Sequence, residues 1–225
     1  DKIEGRALDV RFARGGESCD LLDGRTVELA PDVLVIADAA GPVAMAGVMG
    51  GVRTSVTPET TRVMLEVAWF APAAIAGRGR RYGLTTDASQ RFERGVDPEL
   101  GRRAIERATR LMLEVAGGIV GAVEVTEVVA EDGAAAVRRA PRVTLRPAEV
   151  GRVLGLEMPP DRVVELLSRL DIQQVDGTAH PAAAVGETLT FQSPSHRFDI
   201  TIERDLIEEV ARLVGFEAIP VIDAR

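Results

Sequence analysis

Cysteine and aromatic side chains are scarce in this sequence. The single cysteine, Cys19, leaves no pair for an internal disulfide and no set of thiolates for a zinc site, which is typical of a reducing compartment and predicts a cytoplasmic location. Aromatic residues make up only 4% of the chain against 46% hydrophobic residues, so the cores must be aliphatic. No apolar run is long enough to span a membrane, and no signal-peptide pattern is found.

Positive charge is also in short supply, because the formal net charge is −8. This balance argues against non-specific attraction to phosphate backbones. Residues 77–110 are the exception, since they hold nine arginines and five acids and are net +4. Such a basic stripe is compatible with contact to one nucleic acid at a defined place, but arginines on a helix are just as often simply solvated.

The 225 residues are enough for two small domains, each with its own core. Residues 130–140 carry little apolar patterning and predict a linker, so we place the boundary near Pro141 and expect domains at 1–140 and 141–225. The overall class is α+β. The second domain has the pattern of a small winged-helix-like module, with a strand at 143–145, helices at 147–154 and 160–170, strands at 172–175 and 188–192, and a closing helix.

The first domain mixes strands and helices. Alternation predicts a strand at 8–12, the pair Asp23 and Gly24 predicts a hairpin turn, and the apolar run 33–37 predicts a buried central strand. Further on, Asp97, Pro98 and Glu99 form a helix-start signal for a helix with a buried stripe that ends at Gly117.

A single carboxylate, Glu66, interrupts the apolar run 63–70, which predicts a strand apolar on both faces. A buried carboxylate is costly unless it is paired. One of the nearby arginines could satisfy it, and from the residues alone this structural role is favoured over a ligand-binding role. Between the strands, the small-residue stretch 46–51 holds Gly47, Gly50 and Gly51, which could either wall a pocket or form a plain tight turn.

Four carboxylates crowd the end of the chain, at Asp199, Asp205, Glu208 and Glu209. Apolar residues at helical spacing predict an amphipathic helix over 202–214 that ends at Gly215. Asp205 should share one face with Glu208 and Glu209, which would suit a hard divalent cation. Acidic residues near a helix start also favour the macrodipole, so a solvated acidic face remains the alternative.

Four strings of this sequence resemble the β subunit of bacterial phenylalanyl-tRNA synthetase. They are AGVMGG (46–51), LEVAWF (65–70), AGRGRRYGLTTDASQRFERGVDP (76–98) and SHRFDITIERDLIEEVARLVGFEAIP (195–220). Their order matches the B3/B4 and B5 regions of that family. The resemblance implies a fragment from the middle of a longer subunit, whose α2β2 enzyme joins phenylalanine to tRNA(Phe) using ATP and magnesium.

The resemblance also implies roles for particular residues. The B3/B4 domain of the family hydrolyses tyrosine wrongly attached to tRNA(Phe), and the residues that fall on positions of that editing pocket are Gly50, Glu66, Thr86 and Ala88. By this resemblance, Glu66 accepts a hydrogen bond from the tyrosine phenol. Asp199, Asp205, Glu208 and Glu209 fall on positions that bind a Mg²⁺ ion shared with the α subunit.

The catalytic group is left unassigned. The family carries a histidine upstream of the first position of this sequence, and neither His180 nor His196 matches it by position. Two other readings therefore stay open beside the editing function. One is a non-enzymatic scaffold that contacts tRNA, and the other is a stand-alone hydrolase or amino-acid sensor.

Overall fold

Strands and helices are mixed along the chain, which confirms the predicted α+β class. The structure is a computed structural model that describes residues 2–128, 141–175 and 188–221. The chain divides into two units, Asp1–Val96 with Leu100–Val137 and Asp97–Glu99 with Arg138–Arg225. Each unit has its own hydrophobic core. The boundary near Pro141 stays a prediction, because the expected linker at 130–140 lies outside the described residues.

Unit 1 is built on a four-stranded antiparallel sheet. Its strands are β1 (Asp9–Phe12), β4 (Leu34–Asp38), β5 (Gly41–Met45) and β6 (Met49–Gly50), in the order β1-β4-β5-β6. The apolar run of β4 lies in the middle of the sheet and is buried, as predicted.

A short hairpin lies beside this sheet. Its strands are β2 (Ser18–Asp20) and β3 (Thr26–Glu28), and Gly24 in the connecting turn has φ +85°, so the predicted hairpin is confirmed. A bridge between Leu21 and Gly51 joins the hairpin to the end of β6. Leu21 is fully buried, so this junction is part of the core of unit 1.

Helices follow the sheet in unit 1. They are α1 (Pro72–Ile75), α2 (Arg78–Arg81), α3 (Asp87–Arg94) and α4 (Gly101–Ala116). Helix α4 begins later than predicted, because the Asp97 carboxylate accepts the N–H of Glu99 at 2.9 Å in a turn that precedes the helix. It ends before Gly117 as predicted, but no residue of α4 is buried, so the expected buried stripe is wrong.

The predicted strand at 63–70 is also wrong. These residues have no regular secondary structure, and Val63, Met64, Leu65 and Val67 are 38–57% exposed. Apolar composition predicts burial only where another strand or helix covers the segment. Among the described residues no strand pairs with it, and only its end reaches the core, where Phe70 is buried and Ala68 packs against the cluster.

Unit 2 has the strand and helix order expected of a winged-helix-like domain. It contains β7 (Arg142–Leu145), α5 (Pro147–Leu154), α6 (Pro160–Ser168), β8 (Gln173–Gln174), β9 (Leu189–Gln192) and α7 (Glu203–Val214). The three strands form an antiparallel sheet in the order β7-β9-β8. Helix α7 packs against α5, α6 and β7, with Leu206, Ile207 and Val210 in the core.

Within the ranges that the structure covers, no helix is both long enough and apolar enough to cross a bilayer.

Replacing Gly51 by alanine tests the junction of hairpin and sheet. An added Cβ would lie 2.6 Å from the carbonyl oxygen of Val43 and 3.1 Å from that of Asp20, so the backbone would have to shift. We expect Gly51→Ala to lower the free energy of unfolding by about 1–3 kcal/mol in urea titrations. Gly15→Ala is the matched control, since nothing lies within 4 Å of its added Cβ. Equal stabilities of the two variants would contradict the packing described here.

Candidate functional site

The start of helix α3 is attached to the small-residue turn that leads into β6. The Thr86 hydroxyl donates to the carbonyl of Val48 at 2.7 Å and accepts the backbone N–H of Ser89 at 3.0 Å. The Ser89 hydroxyl in turn accepts the N–H of Thr86, so the two residues form a capping box. Thr86 therefore both begins α3 and ties it to the sheet.

The structure brings three of the four expected pocket residues to this region. Thr86 caps α3, Ala88 is half-buried in its first turn, and Gly50 follows the turn that Thr86 contacts. An added Cβ on Gly50 would come within 3.3 Å of the Leu22 side chain, so a small residue suits this position.

The segment that carries Glu66 ends at Phe70, which packs beside the small-residue turn that Thr86 contacts. The rings of Phe70 and Phe92 are 5.1 Å apart and tilted. Gly47, with φ +66°, leaves space for them, because an added Cβ would lie 3.2 Å from each ring and 3.3 Å from Ile75. Phe70 therefore anchors the segment four residues after Glu66.

Glu66 is accessible to solvent, and this differs from the expected buried position. Among the described residues it has no hydrogen bond and no ion pair, so the arginine partner favoured from the sequence is wrong. Desolvation by the surrounding protein raises the pKa of Glu66 above its ordinary value. The Glu66 carboxylate is therefore accessible to solvent, partly desolvated and free to accept a hydrogen bond.

Two arginines of the basic stripe form ion pairs within unit 1. Arg81 and Arg78 pair with Asp32 at 2.5 and 3.2 Å, and so hold α2 against the loop before β4. By contrast, Arg103, Arg107 and Arg110 lie exposed along α4 at spacings of four and three residues, which places them along one face of the helix.

The four carboxylates at the end of the chain have different surroundings. The Asp205 carboxylate accepts the N–H groups of Thr201 and Ile202 at 2.7 and 2.9 Å and so caps the start of α7. Glu209 is buried at 4% exposure, whereas Glu208 is exposed. Asp199 precedes the helix and is also exposed. The predicted helix is confirmed, but its acidic residues do not form one solvated face.

An arginine not singled out from the sequence joins two of these carboxylates. Arg197 Nη2 lies 2.7 Å from Asp199 Oδ2 and 2.7 Å from Glu209 Oε1. These hydrogen bonds lower the pKa of Asp199 and of Glu209. Arg197 stands two residues before Asp199 in the sequence, which is the only local signal for this contact.

The carboxylates do not fit a metal ion as they stand. The parts of the chain that the structure describes, which include all four, hold no group of three or more His, Cys, Asp or Glu side chains placed to bind a metal. The predicted Mg²⁺ site stays a prediction.

Comparison with known proteins identifies both units. Residues 1–117 match the model of the B3/4 domain, and residues 143–216 match that of the tRNA synthetase B5 domain. The chain belongs to the family of phenylalanine–tRNA ligase β subunits. It is 52% identical to the β subunit of Methylococcus capsulatus and 50% identical to that of Aromatoleum aromaticum, over 95% of this chain in both cases.

This chain spans 25% of the length of those two relatives. A crystal structure of an N-terminal fragment of the Pyrococcus horikoshii β subunit is also similar, with 17% identity and a TM-score of 0.43 over 96% of this chain and 58% of that one.

Thr86 offers a test of how the B3/4 domain holds its α3 helix. Thr86→Val keeps the shape of the side chain but removes the donor to Val48 and the helix cap. We expect a loss of about 1–2 kcal/mol in the free energy of unfolding, measured by urea titration. Thr86→Ser retains the hydroxyl and is expected to lose less. A Val variant as stable as Thr86→Ser would contradict the cap.

Glu66 provides a second test, in which removing a charge stabilises the domain. Because the folded-state pKa of Glu66 is raised above 4.5, its ionised form is disfavoured by folding, and this penalty is absent at low pH and complete above the folded-state pKa. We therefore expect Glu66→Gln to gain stability relative to the natural chain as the pH rises from about 4 to about 7. Thermal unfolding of both chains, with the exposed Glu59→Gln as control, measures the difference. A Gln variant that loses stability over this range would contradict it.

Proposed function

We propose that this chain contributes to a ligase that joins phenylalanine to tRNA(Phe) with ATP and magnesium, in which an α subunit is its partner. We further propose that the B3/4 domain recognises and hydrolyses tyrosine wrongly attached to tRNA(Phe). The names of the relatives support the first part, since they are phenylalanine–tRNA ligase β subunits. The second part is supported by the surroundings of Glu66.

The observation that carries the editing proposal is the unpaired state of Glu66. Most carboxylates in the described part of the B3/4 domain that are held back from water are paired with arginine, as Asp38 is with Arg53 at 2.6 Å and Glu17 is with Arg11 at 2.7 Å. Glu66 is accessible to solvent but partly desolvated, and it has no such partner among the described residues. An acceptor left free in this way costs stability, which is typical of a group kept for binding.

Discrimination by hydroxyl is the task that such an acceptor performs. An apolar synthetic pocket rejects an added hydroxyl by only about a hundredfold, so a second site that selects the hydroxyl is useful. The phenol of tyrosine can donate to the Glu66 carboxylate, in a hydrogen bond to a charged group. Phenylalanine has no donor, so its binding would leave the carboxylate desolvated and unsatisfied. Phenylalanyl-tRNA is thereby spared.

The reaction itself needs few protein groups. Hydrolysis breaks the ester bond between the tyrosyl carbonyl carbon and the terminal ribose oxygen, and a water molecule supplies the oxygen that replaces it. We assign Glu66 to recognition at the far end of the substrate. The neighbouring ribose hydroxyl and a bound water are our candidates for the proton transfers, with Thr86, Gly50 and Ala88 shaping the space for the ring.

The magnesium ion is a separate part of the proposal. Asp199, Asp205, Glu208 and Glu209 are its proposed ligands at a contact with the α subunit. In the present arrangement two of them are bound by Arg197 and one caps α7, so they must rearrange before they can hold the ion.

A scaffold that contacts tRNA without editing is the second candidate. The observation that favours it is the exposed row Arg103, Arg107 and Arg110 on α4, which could meet successive phosphates. This function predicts salt-dependent tRNA binding that falls when these arginines are replaced by glutamate. It also predicts that Tyr-tRNA(Phe) is bound without release of tyrosine.

Titration calorimetry with tyrosine and phenylalanine tests the editing proposal. A hydrogen bond to a charged group contributes about 1.5–3 kcal/mol, so we expect tyrosine to bind at least about tenfold more tightly than phenylalanine. Glu66→Ala should abolish the preference without unfolding the domain, because the carboxylate has no structural partner. A non-hydrolysable tyrosyl-adenylate mimic serves if free tyrosine binds too weakly.

Glu59→Gln controls for loss of one acidic charge in the same exposed segment. Equal affinities for the two amino acids in the natural chain, or an unchanged preference in Glu66→Ala, would remove the claim. Release of tyrosine from Tyr-tRNA(Phe) then separates editing from the scaffold function.

A further inference from the structure

One guanidinium lies between two of the four carboxylates expected to bind magnesium in the B5 domain. Arg197 Nη2 donates to Asp199 Oδ2 and to Glu209 Oε1, and Arg197 Nε donates to Asp199 Oδ1 at 2.9 Å. The Arg197 side chain is 21% exposed and that of Glu209 only 6%. The contact with Glu209 is therefore largely sheltered from water and from screening by salt, whereas Asp199 is exposed.

The buried Glu209 explains why a cation is needed at this place. An ionised carboxylate inside a protein is strongly unfavourable unless a positive charge and hydrogen bonds compensate it. Arg197 supplies both, and its planar fork also holds Asp199, which lies before the helix. The guanidinium thus links the residues before α7 to the second turn of α7.

Arg197 and a divalent cation would compete for the same oxygen atoms. Mg²⁺ requires oxygen ligands at about 2.0–2.1 Å in near-octahedral geometry. Lone pairs that already accept N–H groups of Arg197 are not available to the ion, and the guanidinium charge repels it. Asp199 and Glu209 therefore cannot both bind Mg²⁺ while Arg197 keeps its present position.

We propose that Arg197 is the resident cation of this carboxylate set, and that a divalent ion binds there only by displacing the guanidinium from Asp199 and Glu209. This inference rests on the magnesium part of the proposed function and deepens it. It makes Arg197 a positioning residue that keeps the metal-free domain folded and sets its affinity for the ion.

Arg212 provides a matched control on the same helix. Its Nη1 atom lies 2.9 Å from Glu209 Oε1 and its side chain is 55% exposed, but within the described residues it forms no hydrogen bond or ion pair with Asp199. Loss of Arg212 removes a positive charge of equal size next to Glu209. It does not free both carboxylates, so its effect on metal affinity should be smaller.

The experiment is calorimetric titration of Mg²⁺ into the natural chain, Arg197→Met and Arg212→Met at constant ionic strength. Removing a full charge at hydrogen-bonding distance should change the affinity substantially, so we expect Arg197→Met to bind Mg²⁺ at least about tenfold more tightly than the natural chain. Arg212→Met should lie between the two. If Arg197→Met does not fold, Arg197→Lys replaces it, because a point charge cannot hold both carboxylates with a planar fork.

A second measurement uses the natural chain alone. The Nε–H signal of Arg197 in a ¹⁵N-labelled sample reports its hydrogen bond to Asp199, and it should shift in step with Mg²⁺ occupancy. Binding of Mg²⁺ with this signal unchanged would overturn the proposal.

The remaining outcomes separate this inference from the magnesium site itself. Equal Mg²⁺ affinity in the natural chain and in a folded Arg197 variant overturns the competition but leaves the metal site in place. Absence of binding in every folded variant also overturns the competition, because carboxylates freed from Arg197 would then have no affinity for the ion in this chain. The magnesium site at the α-subunit contact is a separate claim. Neither result bears on tyrosine recognition, which is tested at Glu66.

Discussion

The backbone that runs from the turn after β5 to the end of β6 can follow its path only without side chains at two positions. At Gly47 a Cβ would press on Phe70, Phe92 and Ile75, and at Gly51 it would meet the carbonyl oxygen of Val43. The close approach at Gly47 lets α1 and α3 lie on the sheet, and the one at Gly51 joins the β2–β3 hairpin to it. Thr86 then fastens α3 to the same turn. The proposed pocket residues Gly50, Thr86 and Ala88 take their positions from this packing.

Local patterns predicted those elements whose partners are near in sequence or whose signals are strong. The β2–β3 hairpin followed from Asp23 and Gly24, and helices α5 and α6 of the B5 domain begin at the predicted residues, each with a proline at its first helical position. The same kind of local pattern gave a wrong prediction for residues 63–70. Their apolar content is typical of a buried strand, but a strand also needs a neighbour with which to pair, and that is not a local property.

The candidate sites divide in the same way. The candidate site residues could be predicted from the sequence, because a lone carboxylate among apolar residues and four carboxylates near one helix are unusual. The arginines that pair with these carboxylates could not be predicted. An arginine was expected beside Glu66 and is not there, whereas Arg197 bridges Asp199 and Glu209 from a loop outside the helical pattern. Ion pairs depend on side-chain direction in three dimensions, which spacing along the chain does not specify.

Glu66 and Glu209 show how one residue type takes opposite roles. Desolvation without a partner raises the pKa of Glu66, so the ionised form of this side chain lowers the stability of the fold. Hydrogen bonds from Arg197 and Arg212 lower the pKa of Glu209, so the fold gains from that charge at any pH above the ordinary value of a carboxyl. A charge that stabilises the fold is already satisfied, and a ligand must displace its partner first. A charge that destabilises the fold is ready for a donor, which is why Glu66 rather than the acidic helix is the better candidate for direct recognition.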